Sequence, residues 1–161
     1  MTQRPTLMGT RGMVVTEHYL SAEAGLRLLH AGGNAFDAAV AATLAEGVLN
    51  PHMHTFGGEL SALVYTAAER AVFAINGNTV APRAATIDWF KDHDLSLIPM
   101  AGTLAAGPCA APHALLTILD RFGTRSFALC ICVDAERGVL RAGADPRGEV
   151  SRRMPSYAMG W

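Results

Sequence analysis

The spacing of apolar residues changes along this chain, and the changes mark out its elements. Residues 13–16, Met-Val-Val-Thr, read as a short strand. From Ser21 the spacing widens to that of a helix. Leu26 and Leu29 lie one turn apart, and Ala22 extends their stripe. Ser21 is the expected N-cap, Glu23 meets the positive end of the helix dipole, and Gly32-Gly33 supplies the stop. Asn34 then opens a second helix, with Asp37 three residues on in a capping-box position. Residues 35–46 are almost all small or apolar, the composition of a helix buried on most sides, and Pro51 closes the segment.

Two strand-like runs follow, 60–65 and 71–76, joined by a short turn at 67–70, which predicts a hairpin. Asn76-Gly77-Asn78 breaks the second strand, 81–85 is a loop, and 86–92 is a short helix. A further strand is expected at 103–106 and a helix at 112–121, ended by Gly123. Residues 129–133 and 139–142 read as a last hairpin around 134–138, and the chain is polar and irregular from Pro146 on. Strands and helices mixed in this way predict an α/β (α+β layered) fold, and 161 residues fit one domain.

Composition narrows the classes. Half of the residues are hydrophobic and the mean hydropathy is +0.22, high for a free-standing domain. Much of this is alanine, which lets elements pack closely. It also suggests surface that faces other parts of a larger protein, and hence self-association through an exposed apolar face. Net charge is −1, with no basic stripe, so no nucleic-acid partner is expected. The apolar run 38–49 is broken by Thr43 and Glu46 and is shorter than the roughly 20 residues of a membrane-spanning helix, so no membrane is expected. No secretory signal is visible after Met1, and three cysteines, an odd number, fit a reducing compartment. The expected location is cytoplasmic. Cys130 and Cys132 alternate with apolar residues, as buried thiols on one face of a strand would.

Two blocks carry the strongest signal. One runs from Arg11-Gly12-Met13-Val14-Val15 through Gly32-Gly33-Asn34-Ala35-Phe36-Asp37-Ala38-Ala39-Val40-Ala41-Ala42 to Gly57-Gly58. The other is Gly143-Ala144-Asp145-Pro146-Arg147. Between them, Ala81-Pro82 and the helix end Arg121-Phe122-Gly123-Thr124 keep the same order. Together they resemble the γ-glutamyltransferase (glutathione hydrolase) family of N-terminal-nucleophile hydrolases. On this resemblance residues 1–125 correspond to the N-terminal part of the family's large subunit. Residues 126–161 correspond to the C-terminal end of its small subunit, and the two are expected to close into one compact domain. The segment between them in the family, which carries the catalytic threonine, is expected to be missing.

The resemblance implies a partial αββα sandwich, γ-glutamyl compounds or other amides as substrates, and no cofactor. It implies a threonine at a fresh N-terminus as nucleophile and base, with backbone N–H groups of a glycine pair as oxyanion donors. This sequence has no Pro-Gly-Gly-Ser to supply that pair. An arginine that clamps the substrate's α-carboxylate is implied at position 78, where this chain has Asn78. Asparagine cannot provide a charged fork. Arg83 is near in sequence. The implied reading is therefore a γ-glutamyltransferase relative, inactive alone. The alternatives are a non-catalytic binding or assembly module and a fragment of a cephalosporin-acylase-like amide hydrolase.

Other constellations have plainer explanations. His52 and His54 with Glu59 could contribute to a zinc site, but a cleft-lining loop is preferred, since no further ligands have motif spacing. Cys109 stands at a helix start with His113 four residues on, and is read as a small packing residue rather than a nucleophile. Thr55 and Thr79 are loop hydroxyls, and neither is read as a nucleophile. Asp145 and Arg147 are read as a turn cap and an ion-pair partner.

Overall fold

A computed structural model describes the backbone of residues 6–135 and the side chains of residues 6–131. The first helix, α1, spans Tyr19–His30. Its N-cap is His18, whose Nδ1 accepts from the Leu20 N–H at 3.2 Å, and not Ser21, which is buried inside the helix. The earlier start carries Glu23 out of the first turn. It pairs instead with Arg27 at 2.5 Å, a bond worth a few tenths of a kcal/mol on a helix surface. The stop is as expected: Ala31 is the C-cap and Gly32 follows with φ 79°, a left-handed conformation that glycine adopts without a steric penalty.

Helix α2 spans Ala35–Leu49 and opens with the full capping box. The Asn34 side chain accepts from the N–H groups of Phe36 and Asp37 at 2.9 and 3.0 Å, and Asp37 accepts from the Asn34 N–H at 2.8 Å. Its small residues let α1 lie close. A Cβ at Gly25 of α1 would come within 2.9 Å of the Ala38 carbonyl oxygen. Val40 and Ala41 are fully buried at the centre of the core.

Strands β1 (Leu60–Thr66) and β2 (Ala71–Gly77) form the expected antiparallel hairpin, in register from Leu60↔Gly77 to Thr66↔Ala71. The inward face packs on α4, which spans Ala110–Phe122 and buries Ala111, Ala114, Leu115, Ile118 and Leu119 at helical spacing. Helix α4 in turn packs on α2, so a sheet layer lies over a helix layer. The short α3, Ile87–Asp92, is capped by Thr86, whose hydroxyl accepts from the Trp89 N–H at 3.2 Å. Among the described residues, no helix is long and apolar enough to cross a membrane.

Three expected strands are corrected. Residues 13–16 pair with no strand among the described residues; Val14 packs against the helical core instead. Thr103–Ala105 is a turn of 3-10 helix, not a strand. Residues 129–133 lie in helix α5, Phe127–Ala135, which packs on α2 and α1. A short run that is apolar at every position reads equally well as buried helix or buried strand. Here Ser126 starts the helix, its carbonyl accepting from the N–H groups of Leu129 and Cys130 at 3.0 and 3.2 Å. The shared face expected of Cys130 and Cys132 required a period of two and falls with the strand. Cys130 is buried, as expected, but in the helical core. The strand at 139–142 and the block 143–147 lie outside the described residues.

Candidate functional site at the hairpin end

The end of the hairpin brings three separate segments together. Leu60 and Gly77 are paired, so Glu59 and Ser61 at the start of β1 lie beside Asn78 and Thr79 after β2. The Asn76 side chain accepts from the Asn78 N–H at 3.1 Å and turns the chain out of the sheet. Ser61 donates to Asn78 Oδ1 at 3.4 Å, and Thr79 donates to Glu59 Oε1 at 3.2 Å. The third segment is the approach to α4. A Cβ at Gly107 would meet the Thr79 Cβ at 2.8 Å, and the Ala111 N–H donates to the Gly58 carbonyl at 3.1 Å.

Asn78 is exposed, and its side chain offers a neutral amide at this junction. Arg83 is exposed in the turn closed by the hydrogen bond from Ala85 N–H to Pro82 carbonyl, and it makes no hydrogen bond or ion pair with Asn78. The charged side chain tied into the cluster is the carboxylate of Glu59. The arrangement therefore holds neutral polar groups and one carboxylate, and does not present a cationic clamp for a substrate carboxylate.

The remaining sequence candidates disperse. Cys109 caps α4 with its backbone, is exposed, and makes no side-chain cap bond. Thr79 is bonded to Glu59, and the Thr55 carbonyl accepts from Gly58 N–H in the turn between α2 and β1. His54 is half-buried with its ring edge-on to Phe56 at 6.3 Å, and His52 is exposed. Among the described residues no three His, Cys, Asp or Glu side chains group closely enough to hold a metal.

Sequence reading missed the partners that two carboxylates find in the fold, the buried Asp37 and the half-buried Glu46. Asp37 is fully buried and accepts from the Thr124 N–H and hydroxyl and from the Arg125 N–H at 2.9, 2.6 and 3.0 Å. Burial alone raises its pKa. The Thr124 hydroxyl and the N–H groups of Asn34, Thr124 and Arg125 outweigh this and hold it below its ordinary value. Glu46 behaves alike: burial raises it, but the Ser21 hydroxyl, the Asn50 amide and His18 bring it below its ordinary value. No local spacing could have announced the Asp37 partners, which lie 87 and 88 residues away.

Residues 21–147 match the family model described as gamma-glutamyltranspeptidase. The chain belongs to this family. It is 36% identical over 138 residues to a glutathione hydrolase proenzyme of Bacillus subtilis subsp. natto, with 81% of this chain and 24% of the relative covered. It is 44% identical over 130 residues to an acylase ACY 1 proenzyme of Pseudomonas sp. (strain V22), with 74% and 23% covered. The Helicobacter pylori gamma-glutamyltranspeptidase structure superposes with a TM-score of 0.71 at 29% identity, covering 80% of this chain and 38% of that one. The chain thus spans about a quarter of the length of these curated relatives. Its helix layer and hairpin are part of the α+β layered fold of N-terminal-nucleophile hydrolases.

Proposed function

We propose that this chain is the substrate-facing part of an amide hydrolase of the γ-glutamyltranspeptidase type, and that alone it does not turn over substrate. The observation that carries the reading is the convergence of Asn78, Ser61, Glu59 and Thr79 at the end of the hairpin. By its resemblance to the family, this is the loop that meets the substrate. A neutral Asn78 favours a neutral amide over the α-carboxylate of a γ-glutamyl group, which moves the reading toward acylase-type substrates. The acylase ACY 1 relative, at 44% identity, supports the same direction. The sequence carries no Pro-Gly-Gly-Ser, which supports assigning the oxyanion donors, and the nucleophile with them, to residues outside it. The free, exposed thiol of Cys109 supports a cytoplasmic location within the same proposal.

The test has two readouts. The purified chain is incubated with γ-glutamyl-p-nitroanilide and with a neutral acyl p-nitroanilide; release of p-nitroaniline from either removes the inactivity claim. Calorimetric titration with glutamate and with a neutral amide then compares the wild type with Asn78→Arg. The substitution is expected to reverse the preference toward glutamate, and an unchanged preference would sink the role given to Asn78.

A second reading, a self-associating assembly module, has its own support. The outward face of the hairpin carries Leu63, Tyr65 and Val72 at 79%, 57% and 64% exposure, and among the described residues the sheet has two strands, with edges open to pairing. Sedimentation velocity tests it. Concentration-dependent association that Leu63→Lys abolishes is expected, and a monomer at all concentrations would reject it.

A further inference from the structure

We infer that the cavity between α3 and the 3-10 turn seats an apolar acyl or aromatic group of the substrate. This rests on the amide-hydrolase reading and names the substrate class for that site. The cavity has a volume of about 240 Å³, and its walls include Pro82, Ala85, Trp89, Phe90, Leu104 and Ala106. Among the described residues no charged side chain lines it, and Thr103 supplies the one hydroxyl. It is smaller than the roughly 300–1,000 Å³ of a site for a drug-sized ligand, which suits a short acyl chain or a single ring. A carboxylate or ammonium entering it would lose hydration and meet no countercharge among the described lining residues, so the charged groups of a γ-glutamyl moiety are disfavoured there.

Two observations tie the cavity to the hairpin end. Ala106 is followed by Gly107, whose backbone is held against Thr79, the residue after Asn78. On the other wall, Pro82 stands four residues beyond Asn78 on the same loop. These two links set the cavity beside the loop that carries Asn78, and the inference is that a substrate held there turns its acyl end toward the cavity.

The aromatic wall is preset. The Trp89 ring stacks on His93 with centroids 4.0 Å apart and 21° between planes, and meets Phe90 edge-on at 5.2 Å. The His93 Nδ1 lies 2.8 Å from the Trp89 carbonyl oxygen, fixing the stacking partner in turn. A wall already held in place loses little conformational freedom when a ligand arrives.

The test reads Trp89 fluorescence in the full 161-residue chain carrying Trp161→Phe, which leaves Trp89 as its one tryptophan. Hexanamide, phenylacetamide and L-glutamine are titrated separately. The first two are expected to give a saturable change and L-glutamine none. Ala85→Ile, which narrows the cavity, is expected to weaken hexanamide at least tenfold with an unchanged melting temperature. If that variant is destabilised, Leu104→Asn serves in its place. No saturable change with hexanamide or phenylacetamide, or an equal response to L-glutamine, overturns the inference. Titration with hexan-1-ol separates this from the amide reading: a response equal to that of hexanamide leaves the cavity standing and removes the role of the amide at Asn78.

Discussion

The Asp37 carboxylate and Thr124 are joined twice, by the Thr124 hydroxyl at 2.6 Å and the Thr124 N–H at 2.9 Å, although 87 residues separate them. Asp37 thereby does two jobs. It completes the cap of α2, and it holds the turn between α4 and α5 against that cap. The Asn34 side chain reinforces the second job by donating to the Phe122 carbonyl at 2.7 Å. The same turn is anchored on α1, where Arg125 donates to the Ala31 carbonyl at 2.6 Å.

Asp37→Asn is expected to destabilise the chain by about 2–4 kcal/mol. It removes a buried charge that takes four hydrogen bonds and turns an amide NH₂ toward backbone donors. Thr124→Val, which removes only the hydroxyl, is expected to cost about 1–2 kcal/mol. Urea denaturation at neutral pH checks both, and equal effects for the two would contradict the assignment.

Acid should weaken the fold through these same carboxylates. Asp37 and Glu46 have folded pKa values below their ordinary values of 3.8 and 4.5. A group with a depressed folded pKa adds stability that is present above its unfolded value. That stability is lost as pH falls through the folded one. Stability is therefore expected to hold down to about pH 5 and to fall steadily below it. Asp37→Asn should flatten that slope, and a variant as steep as wild type below pH 5 would show that Asp37 is not the group being titrated.

Gly77→Ala should disturb both the end of the hairpin and its seat on α4. The new methyl group would run into the Leu60 carbonyl oxygen of the paired strand and sit 2.6 Å from the Ala114 Cβ, so the strand pairing and α4 must both give way. Overpacking of this kind costs about 1–3 kcal/mol. Because Gly77 directly precedes Asn78, the calorimetric response to a neutral amide should weaken as well. A variant with wild-type melting temperature and binding would refute the close contact.

Leu115→Ala tests the layer between sheet and helices. Leu115 is 2% exposed and belongs to the cluster that includes Leu28, Val40 and Ile118. The truncation is expected to cost about 2–5 kcal/mol by leaving a cavity. Leu116→Ala, on the 46%-exposed neighbour, should change stability by under about 0.5 kcal/mol. Thermal melts of the pair distinguish the two faces of α4.

Local chemistry was enough to locate several elements. Asn34 and Asp37 announced the start of α2, because a capping box is complete within four residues. The helix expected at 86–92 is α3, and the runs 60–65 and 71–76 announced the hairpin from a few neighbouring residues and the turn between them. The Gly32-Gly33 stop likewise needs only the backbone freedom of glycine. The family resemblance rests on the same stretch of sequence and agrees with the family match over residues 21–147.

What needed tertiary structure was whatever depends on partners distant in sequence. Residues 129–133 are apolar at every position, so their pattern fits strand and helix alike. Packing of α5 on α2 and α1 decided for helix. Residues 13–16 look like a strand, but a strand requires a ladder partner, and Val14 found the helical core instead. The roles of Asp37 and Asn78 follow the same rule. A sequence states which donors and acceptors each residue carries, whereas only the folded chain brings Thr124 to Asp37 and Ser61 to Asn78. Hydrogen bonds and burial act through space at a few ångströms, and the chain separation of these pairs leaves no periodicity from which to read them.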